Sequence, residues 1–96
     1  ILALKVPGAG EALARQVVAF VQELRKNDLF KLPGIAETID WSTALIQLDK
    51  LALDPATIND TLGVLLKYQD DIAQIQGSEA ARILNEVNLE ISRAGG

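Results

Sequence analysis

Apolar residues recur at intervals of three and four positions in four stretches of this chain. That spacing places them on one face of an α-helix, which completes a turn every 3.6 residues. The strict alternation of apolar and polar residues that is typical of a half-buried strand never persists, and runs of β-branched residues are absent. The sequence therefore predicts an all-α fold, a small bundle of about four helices joined by short loops.

The predicted helices span residues 9–26, 37–49, 55 onward, and 78 to the end of the chain. Each has an apolar face that we expect to be buried against the other helices. The predicted core residues are Leu13, Val17, Phe20, Val21, Leu24, Trp41, Ala44, Leu45, Leu48, Ile58, Leu62, Leu65, Leu66, Ala80, Ile83, Leu84, Val87 and Ile91.

The third helix has the clearest start. Asp54 provides a capping carboxylate, and Pro55 follows at the first turn, where its missing N–H costs nothing. The apolar pattern leaves two alternatives for the C-terminal end of this helix: it stops near Tyr68, or it continues to Gln76. Gly77 then separates it from the last helix.

The segment before and inside the second helix contains two of the four aromatic residues. This helix starts near Glu37, with either Thr38 as its cap or Ala36 as the last extended residue. Trp41 is either a core residue or a surface anchor for a partner, and its place in the apolar stripe favours the core. Phe30 lies in the preceding connector.

Composition restricts the chemistry available to the chain. A length of 96 residues is enough for one domain, residues 1–96, and the 49% apolar and 23% charged content is that of a globular protein. Without cysteine or histidine, the chain has no disulfide, no thiolate and no imidazole to act as base or metal ligand. The net charge of −4 argues against a nucleic-acid partner, and no apolar run reaches the ~20 residues of a membrane span.

Two features of the N-terminal part suggest that the sequence belongs to a longer protein. The chain begins without methionine and contains none. Pro7 and Gly8 interrupt the apolar pattern, so residues 1–7 are interpreted as the tail of a preceding helix. The Pro7–Gly10 segment does not match the GxxxxGK[ST] phosphate-binding pattern, and Glu11 after it would repel phosphate.

Two pairs of carboxylates have spacings that suit a metal ion or an acid–base pair. Glu37 and Asp40 lie three residues apart on one helix face, and Asp70 adjoins Asp71. Exposed helix faces are nevertheless the usual place for such residues, and we interpret both pairs as solvated. From the residues alone, the chain is a helical domain without an active site of its own.

Residues 6–48 read VPGAGEALARQVVAFVQELRKNDLFKLPGIAETIDWSTALIQL, and residues 53–72 read LDPATINDTLGVLLKYQDDI. Both segments resemble the C-terminal end of MoxR-family AAA+ ATPases, most specifically in EALARQVVAFVQ, LPGIAETIDW and TLGVLLKYQDD. The resemblance implies the helical lid that follows an α/β nucleotide-binding domain. Catalysis, ATP and Mg²⁺ would then belong to the longer protein, and we expect no catalysis and no cofactor for this chain alone.

The resemblance also implies partners and a location. The lid would contact the upstream α/β domain and neighbouring subunits of a ring, commonly a hexamer in the family. A von Willebrand A-domain protein is a further implied partner. The implied activity is chaperone-like remodelling in the cytoplasm, driven by ATP binding and hydrolysis.

By the same resemblance, the edge of the lid that faces nucleotide consists of Pro33, Gly34, Ile35, Ala36, Glu37 and Thr38. AAA+ lids usually carry an arginine, called sensor 2, at the start of the helix that begins here. This sequence has none between Arg25 and Arg82. Backbone N–H groups at the helix start, or Lys31, are the substitutes that the sequence offers.

The alternative hypothesis is a stand-alone helical module that binds other proteins. It predicts that Phe30 and Trp41 are both exposed and form an apolar patch.

Overall fold

A computed structural model describes residues 11–50 and 52–95, and this part of the chain contains five α-helices and no strand. The helices are α1 (Glu11–Leu24), α2 (Ile35–Gln47), α3 (Pro55–Leu65), α4 (Gln69–Ile75) and α5 (Ser78–Gly95). The prediction of an all-α bundle is confirmed. Residues 1–10, with the predicted helix tail and the Pro7–Gly10 turn, lie outside the described residues.

Two helix pairs build the bundle. Helix α1 packs along α5, and α2 packs along α3, while contacts of α1 with α2 and of α3 with α5 join the pairs. Every predicted core residue of α1 and α3 is buried, as expected from their apolar spacing. None of the described helices has the length and apolar character needed to cross a bilayer.

Helix α2 differs from its prediction at its C-terminal end. Leu48, predicted in the core, is 52% exposed. The helix ends at Gln47, and Asp49 takes a left-handed backbone conformation with φ of 57°. Leu48 is the C-terminal cap of α2, with its N–H bonded to the Ala44 and Leu45 carbonyls, so its side chain lies at the end of the helix rather than along its buried face.

The region after α3 also differs from both alternatives that the sequence left open. Leu66 and Tyr68 are extended, with ψ of 136° and 137°, so α3 ends at Leu65 and a separate short helix, α4, follows. The Asp54 cap is confirmed, because its Oδ1 accepts the Thr57 N–H at 2.8 Å. Gly77 separates α4 from α5 as predicted, with φ of 80°, where a side chain would be strained.

Trp41 lies where three helices meet. Its side chain is fully buried, and its ring centroid is 5.3 Å from that of Phe20 on α1. Its indole N–H donates to Thr61 Oγ1 on α3 at 2.7 Å, and that hydroxyl donates in turn to the Thr57 carbonyl at 2.8 Å. The core interpretation of Trp41 is confirmed.

We expect the substitution Thr61→Val to lower the free energy of unfolding by about 1–3 kcal/mol, because it leaves the buried indole N–H without an acceptor. Thr43→Val is the matched control. Thr43 also donates to the carbonyl four residues earlier, but it is exposed, so its loss should stay within about 0.5 kcal/mol. Urea denaturation measures both; equal losses for the two variants would show that the indole bond contributes nothing.

Candidate functional site

Exposed apolar side chains concentrate around the connector between α1 and α2, residues 25–34. Phe30 is 76% exposed, and Leu32 and Ile35 are exposed beside it in sequence. Tyr68, which precedes α4, lies against Phe30 with ring centroids 6.1 Å apart in an edge-to-face arrangement. We name Phe30, Leu32, Ile35 and Tyr68 the connector surface.

Helix α2 places polar residues inside and apolar residues outside at its N-terminal half. Thr38 and Ser42 are buried, while Ile35 and Ile39 are exposed. The buried hydroxyls are satisfied locally, because Thr38 Oγ1 donates to the Gly34 carbonyl at 2.7 Å and Ser42 Oγ to the Thr38 carbonyl at 2.9 Å. This inversion of the usual pattern leaves two isoleucines in water, which is unfavourable unless another surface covers them.

Asp71 of α4 holds the connector through its side chain. Its carboxylate is 1% exposed; Oδ1 accepts the Phe30 N–H at 2.8 Å and Oδ2 accepts the Lys31 N–H at 3.1 Å. The interpretation of the Asp70–Asp71 pair as solvated is therefore wrong for Asp71, although Asp70 is exposed. This contact was not predicted, because it joins residues 40 and 41 positions apart and depends on α4, in a region where the sequence left the end of the third helix open.

Glu37 makes a second, local contact at the start of α2. Its Oε1 accepts the Gly34 N–H at 2.9 Å, so the helix is capped at Gly34, earlier than the predicted start near Glu37. A Cβ at residue 34 would lie 3.0 Å from that oxygen, so a larger residue there would require the Glu37 side chain to shift by a few tenths of an ångström. Thr38 is not the cap but lies inside the first turn, and Ala36 is helical rather than extended.

The electrostatics of this helix start depend on Glu37. The Gly34 N–H, donated to the carboxylate, is the main cause that lowers the pKa of Glu37, and the positive charges of Lys31 and Lys67 lower it further. Lys67 Nζ lies 4.0 Å from Glu37 Oε2. A carboxylate at this position repels phosphate, so the Gly34 N–H is not arranged to bind the γ-phosphate of a nucleotide.

The six residues of the predicted nucleotide-facing edge do not share one exposed surface. Ile35 and Ala36 are exposed, and Gly34 and Glu37 are half-buried. Pro33 and Thr38 are buried. The exposed part of the predicted edge is therefore Ile35 and Ala36, which continue into the connector surface rather than into a polar pocket.

A depression of about 460 Å³ lies between the connector and the start of α4. It is lined by Phe30, Tyr68, Gln69 and Asp70. Tyr68 and Gln69 were not predicted as site residues, because their proximity to Phe30 depends on the break between α3 and α4. Within the described ranges, no three carboxylates gather in a way that could hold a metal ion.

Comparisons with protein-family models, with curated proteins and with solved structures found no match to this chain. The resemblance to MoxR-family lids therefore depends on the sequence segments quoted above. In the structure, the LPGIAETIDW segment runs from the exposed connector surface to the buried Trp41.

We expect Asp71→Asn to lower the free energy of unfolding by about 1–3 kcal/mol, because an amide can accept only one of the two buried N–H groups well. Amide hydrogen exchange should accelerate at Phe30 and Lys31 in particular. Asp70→Asn, at an exposed position, is the control and should change stability by less than about 0.5 kcal/mol. Unchanged exchange at both amides in Asp71→Asn would contradict the role given to this carboxylate.

The lowered pKa of Glu37 predicts a pH-dependent contribution to stability. The contribution is complete above the usual value of 4.5 and is lost as the pH falls through the lower pKa of the folded state. Glu37→Gln keeps an acceptor for the Gly34 N–H but has no charge. The difference in urea stability between the native chain and this variant should therefore be largest near neutral pH and shrink below pH 4.5.

Lys67→Gln is the control for the Glu37 measurement. Its ammonium is exposed and 4.0 Å away, and it acts on Glu37 less than the Gly34 N–H does. We expect this variant to retain most of the pH dependence. A stability difference between native chain and Glu37→Gln that is constant from pH 7 to pH 3 would contradict the assignment.

Proposed function

We propose that this chain is the helical lid of a MoxR-type AAA+ ATPase. In this proposal, an α/β domain encoded upstream binds ATP and Mg²⁺, and the lid packs over the nucleotide. Closure of the lid couples ATP binding and hydrolysis to chaperone-like remodelling of other proteins. The observation that carries the proposal is that the LPGIAETIDW segment, one of the three pieces that together carry the resemblance, exposes the apolar side chains of Leu32 and Ile35 on a backbone held at Gly34 by the Glu37 carboxylate.

The stiffness of the connector supports a role in domain closure. Asp71 binds the backbone at Phe30 and Lys31, and Glu37 binds it at Gly34, so both ends of residues 30–34 are held. A surface that moves as one body can transmit a small displacement from a neighbouring domain. A mobile loop with the same residues would absorb that displacement.

The lid in this proposal contacts its partner domain mainly through apolar side chains. The sensor-2 arginine has no counterpart, and the Glu37 carboxylate occupies the Gly34 N–H. Leu32 and Ile35 instead offer apolar area, which is the usual centre of an interface between domains. Lys31, which adjoins Leu32 in the sequence and is exposed, is the cation proposed for a contact with phosphate.

The proposal includes the wider setting that the resemblance implies. The protein would act in the cytoplasm, in a ring of subunits that is commonly a hexamer in the family. A von Willebrand A-domain protein would be a further partner. The lid itself contributes no catalytic group.

The second candidate, a stand-alone interaction module, is favoured by the exposed pair of Phe30 and Tyr68. The sequence suggested a module whose apolar patch contains both Phe30 and Trp41. That version of the hypothesis is wrong, because Trp41 is fully buried. A module that binds through Phe30 and Tyr68 remains the alternative that the following test distinguishes.

The first test is the natural coding sequence upstream of Ile1. We expect a GxxxxGK[ST] loop after a predicted strand within roughly 200–250 residues, because the lid needs a phosphate-binding domain to cover. Absence of such a loop overturns the lid proposal and leaves the interaction module.

In the full-length protein, we expect Ile35→Ser to lower ATP turnover by about tenfold, the effect of losing ~1.4 kcal/mol of interface contact. Leu89→Ser on α5 is the matched control, because Leu89 is similarly exposed but is not part of the connector surface. In the 96-residue chain both variants should unfold within about 0.5 kcal/mol of the native protein. Equal turnover of the two full-length variants would contradict the proposed contact.

A further inference from the structure

The depression beside the connector combines two aromatic rings with one carboxylate. Phe30 and Tyr68 line it, and Asp70 is the only charged residue among the four that do. The described residues provide no ion pair to Asp70. An exposed ring face next to an unneutralised carboxylate attracts cations more strongly than either group alone.

The nearest lysines in the sequence are engaged with a different carboxylate. Lys67 Nζ lies 4.0 Å from Glu37 Oε2, and the charge of Lys31 also acts on Glu37. The charges of these two lysines therefore act on the start of α2. The side of the connector surface that faces α4 keeps the negative charge of Asp70.

The exposed aromatic surface favours a planar cation. Phe30 and Tyr68 meet at 70°, so the edge of one ring covers part of the other, while exposures of 76% and 52% leave further ring surface open to a ligand. A guanidinium group stacks on aromatic surface and can pair with a carboxylate through two parallel N–H donors. An ammonium group is a more strongly hydrated point charge and gains less from the same site.

We infer that this depression binds an arginine side chain presented by a partner polypeptide. The guanidinium stacks on the Phe30–Tyr68 pair and donates to the Asp70 carboxylate, and Gln69 provides a further polar contact at the rim. The net charge of −4 on the chain favours approach of a basic segment. This inference does not depend on the lid proposal, because it concerns the α4 side of the surface and requires no nucleotide.

The test is an NMR titration of the ¹⁵N-labelled 96-residue chain with three peptides: acetyl-Leu-Arg-Gly-amide and versions with lysine or citrulline in place of arginine. We expect the amide signals of Phe30, Tyr68, Gln69 and Asp70 to shift with the arginine peptide. Affinity should fall about threefold to fivefold from arginine to citrulline, the effect of an exposed ion pair, with lysine in between. Equal affinity for arginine and citrulline overturns the proposal.

Two variants identify the groups involved. Asp70→Asn should weaken binding of the arginine peptide to the level of the citrulline peptide, whereas Asp60→Asn, an equal change of charge at an exposed position on α3, should not. Phe30→Ala should weaken binding of all three peptides. Retained arginine preference in Asp70→Asn overturns the role of the carboxylate.

The titration also separates a partner polypeptide from a second copy of this chain. Spectra of the free protein should be independent of its concentration. If the same four amides shift on concentrating the protein alone, and the peptide adds no further shift, the occupant is a second copy and the proposal is overturned.

Discussion

The burial of Trp41 determines how α2 lies in the bundle and therefore what the protein presents to its surroundings. Its ring contacts Phe20 on α1, and its N–H binds Thr61 on α3, so the rotation of α2 about its axis is set by two partners. With Trp41 inside, the helical repeat brings Thr38, Ser42 and Leu45 inside as well and turns Ile39 outward. Ile35 lies seven residues before Ser42, on the same side of the helix, and is exposed as the first residue of α2. The hydroxyls can be buried because each binds a carbonyl of its own helix or of its N-cap residue.

The two contacts that hold the connector differ in how far they reach along the chain. Glu37 binds Gly34 three residues away, so this bond forms with the first turn of α2. Asp71 binds Phe30 from 41 residues away and requires α4 to be in place. Helix α4 has only seven residues and is positioned by the burial of Ile75. The part of the connector surface formed by Phe30 and Tyr68 therefore depends on the packing of a short helix. The part formed by Ile35 depends on α2 and the central core.

Sequence patterns predicted the parts of the fold that local rules determine. The faces of α1 and α3, the cap at Asp54 and the break at Gly77 follow from spacing, side-chain capping and the conformational freedom of glycine. Leu48 was wrongly predicted in the core because the apolar spacing continues beyond Gln47, where the helix ends. Asp71 was misjudged because carboxylates are usually exposed, and only the folded chain shows the two N–H groups that compensate for its burial. Of the candidate site, the sequence therefore located the segment but not the residues that hold it.

The connector surface has two sides with different chemistry, and this difference bears on how many partners it can serve. Leu32 and Ile35 offer exposed apolar area, which is the chemistry that the proposed contact with a neighbouring domain requires. Phe30, Tyr68 and Asp70 offer aromatic faces with a free carboxylate, which suits a cation that arrives and leaves. The Asp71 carboxylate of α4 holds the backbone at Phe30 and Lys31, so the aromatic side depends on the position of α4. The backbone beside Ile35 is held instead at Gly34 by Glu37 of α2. The two sides are therefore anchored by different helices, and a partner that binds one side contacts a surface whose backbone is held separately from the other.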